Sequence, residues 1–399
     1  MAKHIEALVN PELLVWARES IGLGVQEAAR KIGIKPERLE QWERGELVPT
    51  ISQLRKAAKI AYKRPLAVFY LSKPPKTFDA MRDFRRLPDD QRTANSSALL
   101  LEIRRARDRR QIALDLSQNL EEGVSNFVET TSLNDDPDTV ARRARKLLGI
   151  SLEEQFDWRT GYQAFNSWKS AIEKLGVLIF QTSHLRGSVE IQEIRGFSIS
   201  EKLFPVIVVN SKDSVNGKIF TLLHEFTHLL LNNGGMCDLR EYRNLASDEQ
   251  RVEVFCNRVA GTTLVPSEVL SNDELVLNRG RNPEWTDEEL GILADKFLVS
   301  REVILRRLLI LGRTSEEFYQ LKRKDFLERY EQRPAKGAGA PPYYRLVIRN
   351  EGQPYIRLVL NAYYQNAITA SDLSDYLGVK LDQISKIEKA VMGIPRVGE

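Results

Sequence analysis

Two histidines four positions apart, with a glutamate directly after the first, sit inside an apolar run: Phe220-Thr221-Leu222-Leu223-His224-Glu225-Phe226-Thr227-His228-Leu229-Leu230. On a helix, four positions turn through about 400°, so the two imidazoles lie roughly 40° apart on one face. That arrangement is a claw for a metal ion, and neutral imidazole suits Zn²⁺. Glu225 is placed to take a proton from the attacking water as a general base, the chemistry of a metallopeptidase. The competing reading, two histidines satisfied within a helix, has little weight in a chain with only four histidines.

A catalytic zinc needs a third protein ligand. Downstream, Val252, Phe255, Val259 and Leu264 mark a helix with one buried side, and Glu253 and Asn257 stand four apart on a neighbouring face. Glu253 as ligand, with the Asn257 amide holding the far nitrogen of a ligand histidine, is a normal arrangement around zinc. Without the histidine motif, Glu253 and Glu249 would read as solvated carboxylates on an amphipathic helix.

His-Glu-x-x-His followed 25 residues later by Glu253, Asn257, Ala260, Leu264 and Pro266 resembles the ImmA/IrrE metallopeptidases. The resemblance implies a zincin-like (gluzincin-like) core with a helix-borne glutamate as third ligand, hence His224, His228 and Glu253 on zinc. That family commonly has a second Glu two positions after the ligand and an Ala three after it, where this chain has Phe255 and Cys256. Only Glu253, not Glu249, keeps register with Asn257 and Pro266. The residue that steadies the transition state is not singled out by sequence; His184, Tyr242 and Arg251 are equal candidates.

Ahead of the motif, Leu175–Gln181, Ile194–Ile199 and Phe204–Asn210 are short β-branched, apolar runs bounded by turn residues. They predict a small mixed sheet preceding the histidine helix. An edge strand of such a sheet would take substrate backbone by β-augmentation.

The amino-terminal segment predicts helices over Pro11–Ile21, Val25–Ile32 and Pro36–Trp42, with breaks at Gly33 and Gly45. Gln26 through Gly45 resembles the helix-turn-helix of XRE-type phage repressors. Ala29 is small where helices cross, Gly33 makes the turn, and Ile34, Leu39 and Trp42 fill a core. If the module binds DNA, Gln26, Arg38, Gln41 and Arg44 are the candidate contacts, whereas Glu37, Glu40 and Glu43 would oppose phosphates. Protein recognition by the same module is the alternative.

Net charge of +4 is too small to imply nucleic acid by itself, although residues 1–72 hold 12 Lys and Arg against 8 Asp and Glu. Arg104, Arg105, Arg107, Arg109 and Arg110 read as a solvated helix face in preference to a phosphate track. Two cysteines, Cys237 and Cys256, suit a reducing compartment as buried thiols. No apolar run approaches a membrane span and the start lacks a signal-peptide core, so the expected location is cytoplasmic.

Ser72–Lys76 reads as a linker, and Asp83–Pro88 resembles the connector of long ImmA/IrrE proteins with an attached XRE domain. Further helices are predicted near 94–120, 137–148, 162–175 and 287–330, with apolar positions that read as core. Arg333–Pro342 is a flexible junction by composition. Beyond it, Asp372–Glu388 aligns without gaps on Glu27–Glu43, so either a second helix-turn-helix-like unit or a plain three-helix bundle follows.

The expected architecture is mixed α+β and mostly helical. Its parts are an all-α helix-turn-helix domain (1–72), a linker and connecting helix (73–125), a zincin-like metallopeptidase domain (126–332), a flexible linker (333–342) and a carboxy-terminal helical domain (343–399). The expected function is a zinc endopeptidase that regulates transcription by cleaving an XRE-type repressor or antitoxin. Double-stranded DNA and a second copy of the chain are further expected partners, and a membrane is not. The alternative is a DNA-binding regulator or antitoxin whose peptidase fold serves as scaffold or sensor.

Overall fold

A computed structural model describes residues 5–75, 96–120, 127–182, 189–232, 236–237, 247–280, 282–331 and 341–393. The chain forms two compact units, which divide after Arg105, within the helix Ser97–Asn119.

In the first unit, helices Pro11–Glu19, Val25–Ile32, Pro36–Glu43 and Ile51–Lys56 pack around Leu13, Leu14, Ala28, Ala29, Ile32, Leu39, Trp42, Leu54, Tyr62 and Phe69. Asn10 caps the first helix by accepting the Glu12 N–H, with Pro11 in the first turn, where its missing N–H costs nothing. Gly33 ends the second helix at φ +79°, a left-handed conformation that glycine adopts without strain, and both Gly33 and Ile34 donate to the Ala29 carbonyl. Arg18 pairs with Glu43 at 2.7 Å and ties the first helix to the third.

The second unit is built on a four-stranded sheet. β1 (Leu178–Gln181), β2 (Gly196–Ile199), β3 (Val206–Val209) and β4 (Met236–Cys237) lie in the order β1-β3-β2-β4. β1 runs parallel to β3, while β2 is antiparallel to both β3 and β4. β1 and β3 are buried along their whole length, which is why they read as unbroken apolar runs and not as alternating ones. Against β2 and β3 packs the helix Val215–Leu230, and against that helix packs Ser247–Leu264, which also meets Pro137–Leu148. The core between them includes Trp158, Trp168, Ile207, Val209, Leu222, Phe226, Val259 and Leu264. Helices Asp287–Phe297 and Arg301–Ile310 extend it, as their periodicity predicts.

The carboxy-terminal helices Tyr343–Glu351 and Gln353–Tyr364 meet β1. Gly352 joins them at φ +74°, ψ 144°, and a Cβ there would stand 2.6 Å from the Ile179 carbonyl oxygen. Further on, Gly378 (φ +62°) ends helix Ala370–Leu377 and Val379 donates to the Ser374 carbonyl. That bond lies in the same register as Ile34 to Ala29, so the sequence echo is also an echo of turn geometry. The helix that follows differs: a short 3₁₀ turn, Leu381–Gln383, precedes Ile384–Met392 where the first unit has a straight helix opened by Pro36.

The arginine cluster departs from expectation. Arg104 donates to the Tyr62 and Lys63 carbonyls, Arg105 pairs with Glu102, Arg110 donates to the Leu203 carbonyl, and Arg109 is buried against Glu351. These guanidiniums are engaged by carbonyls and carboxylates, all but the Lys63 carbonyl buried or half-buried, and are not a solvated face. Composition identified the charges but not the backbone carbonyls that other segments bring to them.

Candidate metal centre

The helix Val215–Leu230 starts where Ser214 accepts the Gly217 N–H, and nearly all its residues, including Lys218, are buried. Such a helix is apolar all round because it is enclosed all round. His224 and Glu225 are wholly buried and His228 is 2% exposed, so three polar side chains lie within an apolar core. Buried polar groups need partners, and the partners identify the site.

His224 and His228 turn their Nε2 atoms toward each other at 3.1 Å. Glu253, from the helix Ser247–Leu264, brings Oε2 to 3.2 Å from His224 Nε2 and Oε1 to 3.3 Å from His228 Nε2. These three residues form the cluster of convergent metal-ligating side chains among the described residues. Zinc–nitrogen and zinc–oxygen bonds of about 2.0–2.1 Å in a tetrahedron separate the donor atoms by about 3.3–3.4 Å. The observed spacings match that edge length. Among the described residues Glu253 Oε2 has no aligned hydrogen bond, despite lying beside His224. Two imidazole nitrogens and a carboxylate, spaced at close to a tetrahedron's edge, fit a divalent cation.

The far nitrogen of His224, Nδ1, lies 3.1 Å from Asn257 Oδ1, the partner its position on the helix predicts. Neither oxygen of Glu225 has an aligned hydrogen bond among the described residues, although the carboxylate stands within polar reach of Ser198 of β2. Burial pushes the Glu225 carboxyl up, more than the nearby imidazoles of His228 and His224 pull it down. Burial acts on Glu253 in the same sense, but the facing imidazoles outweigh it and hold that carboxyl well below the usual range. The two glutamates are therefore set apart by their neighbours: one is kept as an anion, the other made basic.

Gly196 is the position sequence reasoning missed. β2 crosses the histidine helix there, and a Cβ would meet Thr221 Cγ2 at 2.5 Å, the Val208 carbonyl at 2.8 Å and Glu225 Cγ at 3.5 Å. Nothing local signals this requirement, because the close approach is between segments distant in sequence. Of the other candidates, Arg251 is exposed on its helix, while His184 and Tyr242 lie outside the described residues. Cys256 is fully buried one turn after Glu253 and forms no disulfide; the side chain of Cys237 is not described.

In the first unit, Gln26 and Arg38 are exposed and Gln41 is half-buried. Arg44 is exposed but held between Glu40 and Glu46, each at 3.1 Å, so its charge is already partly neutralised. Among the described residues Arg38 has no such ion pair, and Glu43 is engaged by Arg18.

No helix of the described residues is long and apolar enough to cross a membrane. Residues 172–309, which contain every residue of the metal cluster, match the family model described as the IrrE N-terminal-like domain, of the M78 peptidases. Residues 14–60 match a helix-turn-helix family model. No curated relative matches the chain. The chain thus carries an IrrE-like peptidase domain fused to an amino-terminal helix-turn-helix domain.

Proposed function

We propose that the protein is a zinc-dependent endopeptidase that switches transcription by cutting a repressor or antitoxin protein. The observation that carries this reading is the convergence of His224, His228 and Glu253 beside a buried carboxylate, Glu225, whose oxygens have no aligned hydrogen bond among the described residues. A site that only held a metal for structure would need no such base.

His224, His228 and Glu253 would hold zinc, and Asn257 holds His224 in the orientation that offers Nε2. When bound, zinc supplies a Lewis acid that polarises the scissile carbonyl and makes a water more acidic. Glu225 takes the proton of the attacking water as its oxygen joins the carbonyl carbon. The same carboxyl then delivers that proton to the amine nitrogen as the C–N bond breaks. The raised basicity of Glu225 suits it to both transfers.

An XRE-type repressor or antitoxin is the proposed substrate because the peptidase domain is joined to a module of that type. Backbone pairing at a strand edge needs an extended segment, so the cut should fall in a linker between domains; the chain's own residues 333–342 are one candidate. The second reading, a DNA-binding regulator with the peptidase fold as scaffold, draws on the helix-turn-helix domain and its exposed Arg38.

Purified wild type should hold about one zinc per chain, His224→Ala and Glu253→Ala should lose it, and Glu225→Gln should retain it with no turnover. Metal analysis with mass spectrometry of cells producing wild type or Glu225→Gln tests both parts. Full zinc retention in both ligand variants would sink the metal assignment. Identical repressor and self-cleavage fragments in the two strains would remove the proteolytic switch.

A further inference from the structure

Asp372–Glu388 repeats Glu27–Glu43 in structure as well as in sequence. Leu373, Leu377, Ile384 and Ile387 are buried at the positions where Ala28, Ile32, Leu39 and Trp42 are buried in the first unit. Gly33 and Gly378 both turn through the left-handed region. Two residues later, Lys35 and Lys380 share an extended backbone, at φ −75° with ψ 146° and 150°. Helices Ala370–Leu377 and Ile384–Met392 thus form a second helix-turn-helix-like unit, beyond the residues 14–60 that match the family model. Its exposed face carries a different charge. Over 35–46 the exposed Lys35, Arg38 and Arg44 are offset by Glu37, Glu40 and Glu46. Over 380–390 the exposed Lys380, Lys386 and Lys389 stand against Asp382 alone, because the half-buried Glu388 accepts the Tyr364 hydroxyl. Among the described residues none of these three lysines has an ion pair.

We propose that this carboxy-terminal unit is a DNA-binding element in its own right, which takes a double helix against the exposed face of Ile384–Met392. Lys386 and Lys389, three apart on one face, and Lys380 at the turn before them neutralise phosphates. Gln383 and Ser385, aligned on Arg38 and Glu40, stand at the start of the helix, where a helix-turn-helix reads base edges. The first unit has an acid, Glu40, where this one has Ser385, so the second opposes phosphate less. The partner is duplex DNA and not duplex RNA, since an α-helix fits the wide major groove of B-form DNA and not the deep, narrow one of A-form RNA. The metal centre lies on other helices and has no part in this contact.

With the full chain, anisotropy of a labelled mixed-sequence DNA duplex over a salt series compares wild type with the double variant Lys386→Ala, Lys389→Ala. Each phosphate contact adds about 0.9 to the salt slope, so the double variant should lose about two from that slope and bind roughly tenfold more weakly at physiological salt. The loss should be the same on every duplex sequence, as for contacts to the backbone. Lysine acetylation of wild type, read by mass spectrometry, gives a second measure: the duplex should shield Lys386 and Lys389. An unchanged slope and affinity in the double variant would overturn the proposal, with any DNA then held by the amino-terminal module. No binding by wild type at low salt would overturn it too, and assign this face to protein recognition. Should the double variant fail to fold, the acetylation decides: equal labelling of both lysines with and without duplex would overturn the proposal.

Discussion

Lys218 shows what a buried charge does to this fold. It lies on the histidine helix, 7% exposed, with its ammonium 5.6 Å from the centre of the Phe165 ring. Burial first, and then the charge of Arg349, bring its pKa down from 10.5 to about 8, against the pull of Asp213. The native state therefore sheds this proton at a lower pH than the unfolded chain. Between about pH 8 and 10.5 the unfolded state binds more protons, so this group makes stability rise with pH across that window. Below about pH 8 both states carry the charge and its full cost is present. Lys218→Met should remove that cost, stabilising the protein at pH 7 by on the order of 2 to 3 kcal/mol, with the advantage shrinking toward pH 10. Urea unfolding of the two proteins at pH 7 and pH 10 checks this; a constant difference between them would show that Lys218 is not titrating.

Elements are joined in the second unit by contacts that their own sequences do not announce. Arg109, on the helix Ser97–Asn119, donates to Glu351 Oε1 at 2.8 Å and lies 4.8 Å over the Phe180 ring of β1, while Tyr355 meets the same ring edge-on. Three segments far apart in the chain thus share one buried contact, beside the turn that Gly352 alone can make against the Ile179 carbonyl. A buried ion pair is costly to break because the survivor is left as an unpaired charge, yet cheap to replace as a pair. Arg109→Met should destabilise by about 3 to 5 kcal/mol, and Arg109→Met with Glu351→Leu should recover most of that loss. A double variant as unstable as the single one, measured by urea unfolding, would show that the pair itself holds these elements together. The arginine run looked solvated in the sequence because the helix's own period carries no record of Glu351 or of the Leu203 carbonyl.

Across the whole molecule, an IrrE-like peptidase domain and a helix-turn-helix domain share one chain, and the exposed side chains of the helix Pro36–Glu43 include both Arg38 and the carboxylates Glu37 and Glu40. Glu43 and Glu40 are engaged by Arg18 and Arg44, which lessens their repulsion of phosphate but also occupies Arg44. Arg38 is then the strongest candidate for a base contact. If the module binds DNA, affinity should fall steeply with salt, and Arg38→Ala should cost about 1 to 3 kcal/mol and relax base preference. Fluorescence anisotropy with genomic fragments over a salt series measures both. Binding that ignores salt, or none at all, would assign the module to protein recognition and leave the metal centre untouched.

The sequence alone determined the elements whose cause is local. His224 and His228 share a face because the helical period puts them there, Gly33 makes its turn because glycine tolerates a left-handed backbone, and Glu253 stands one turn from Asn257 by spacing. Helix Pro137–Leu148 lies between Asp136 and Gly149, the residues that cap it. What distant segments do to one another came from packing between elements. It brought Glu253 to within 3.3 Å of both histidines, laid Gly196 over Glu225, and gave the arginines carbonyls and Glu351 as partners. Spacing along a chain fixes the direction of a side chain about its own helix, but a distance between two helices is set by the packing of every residue between them.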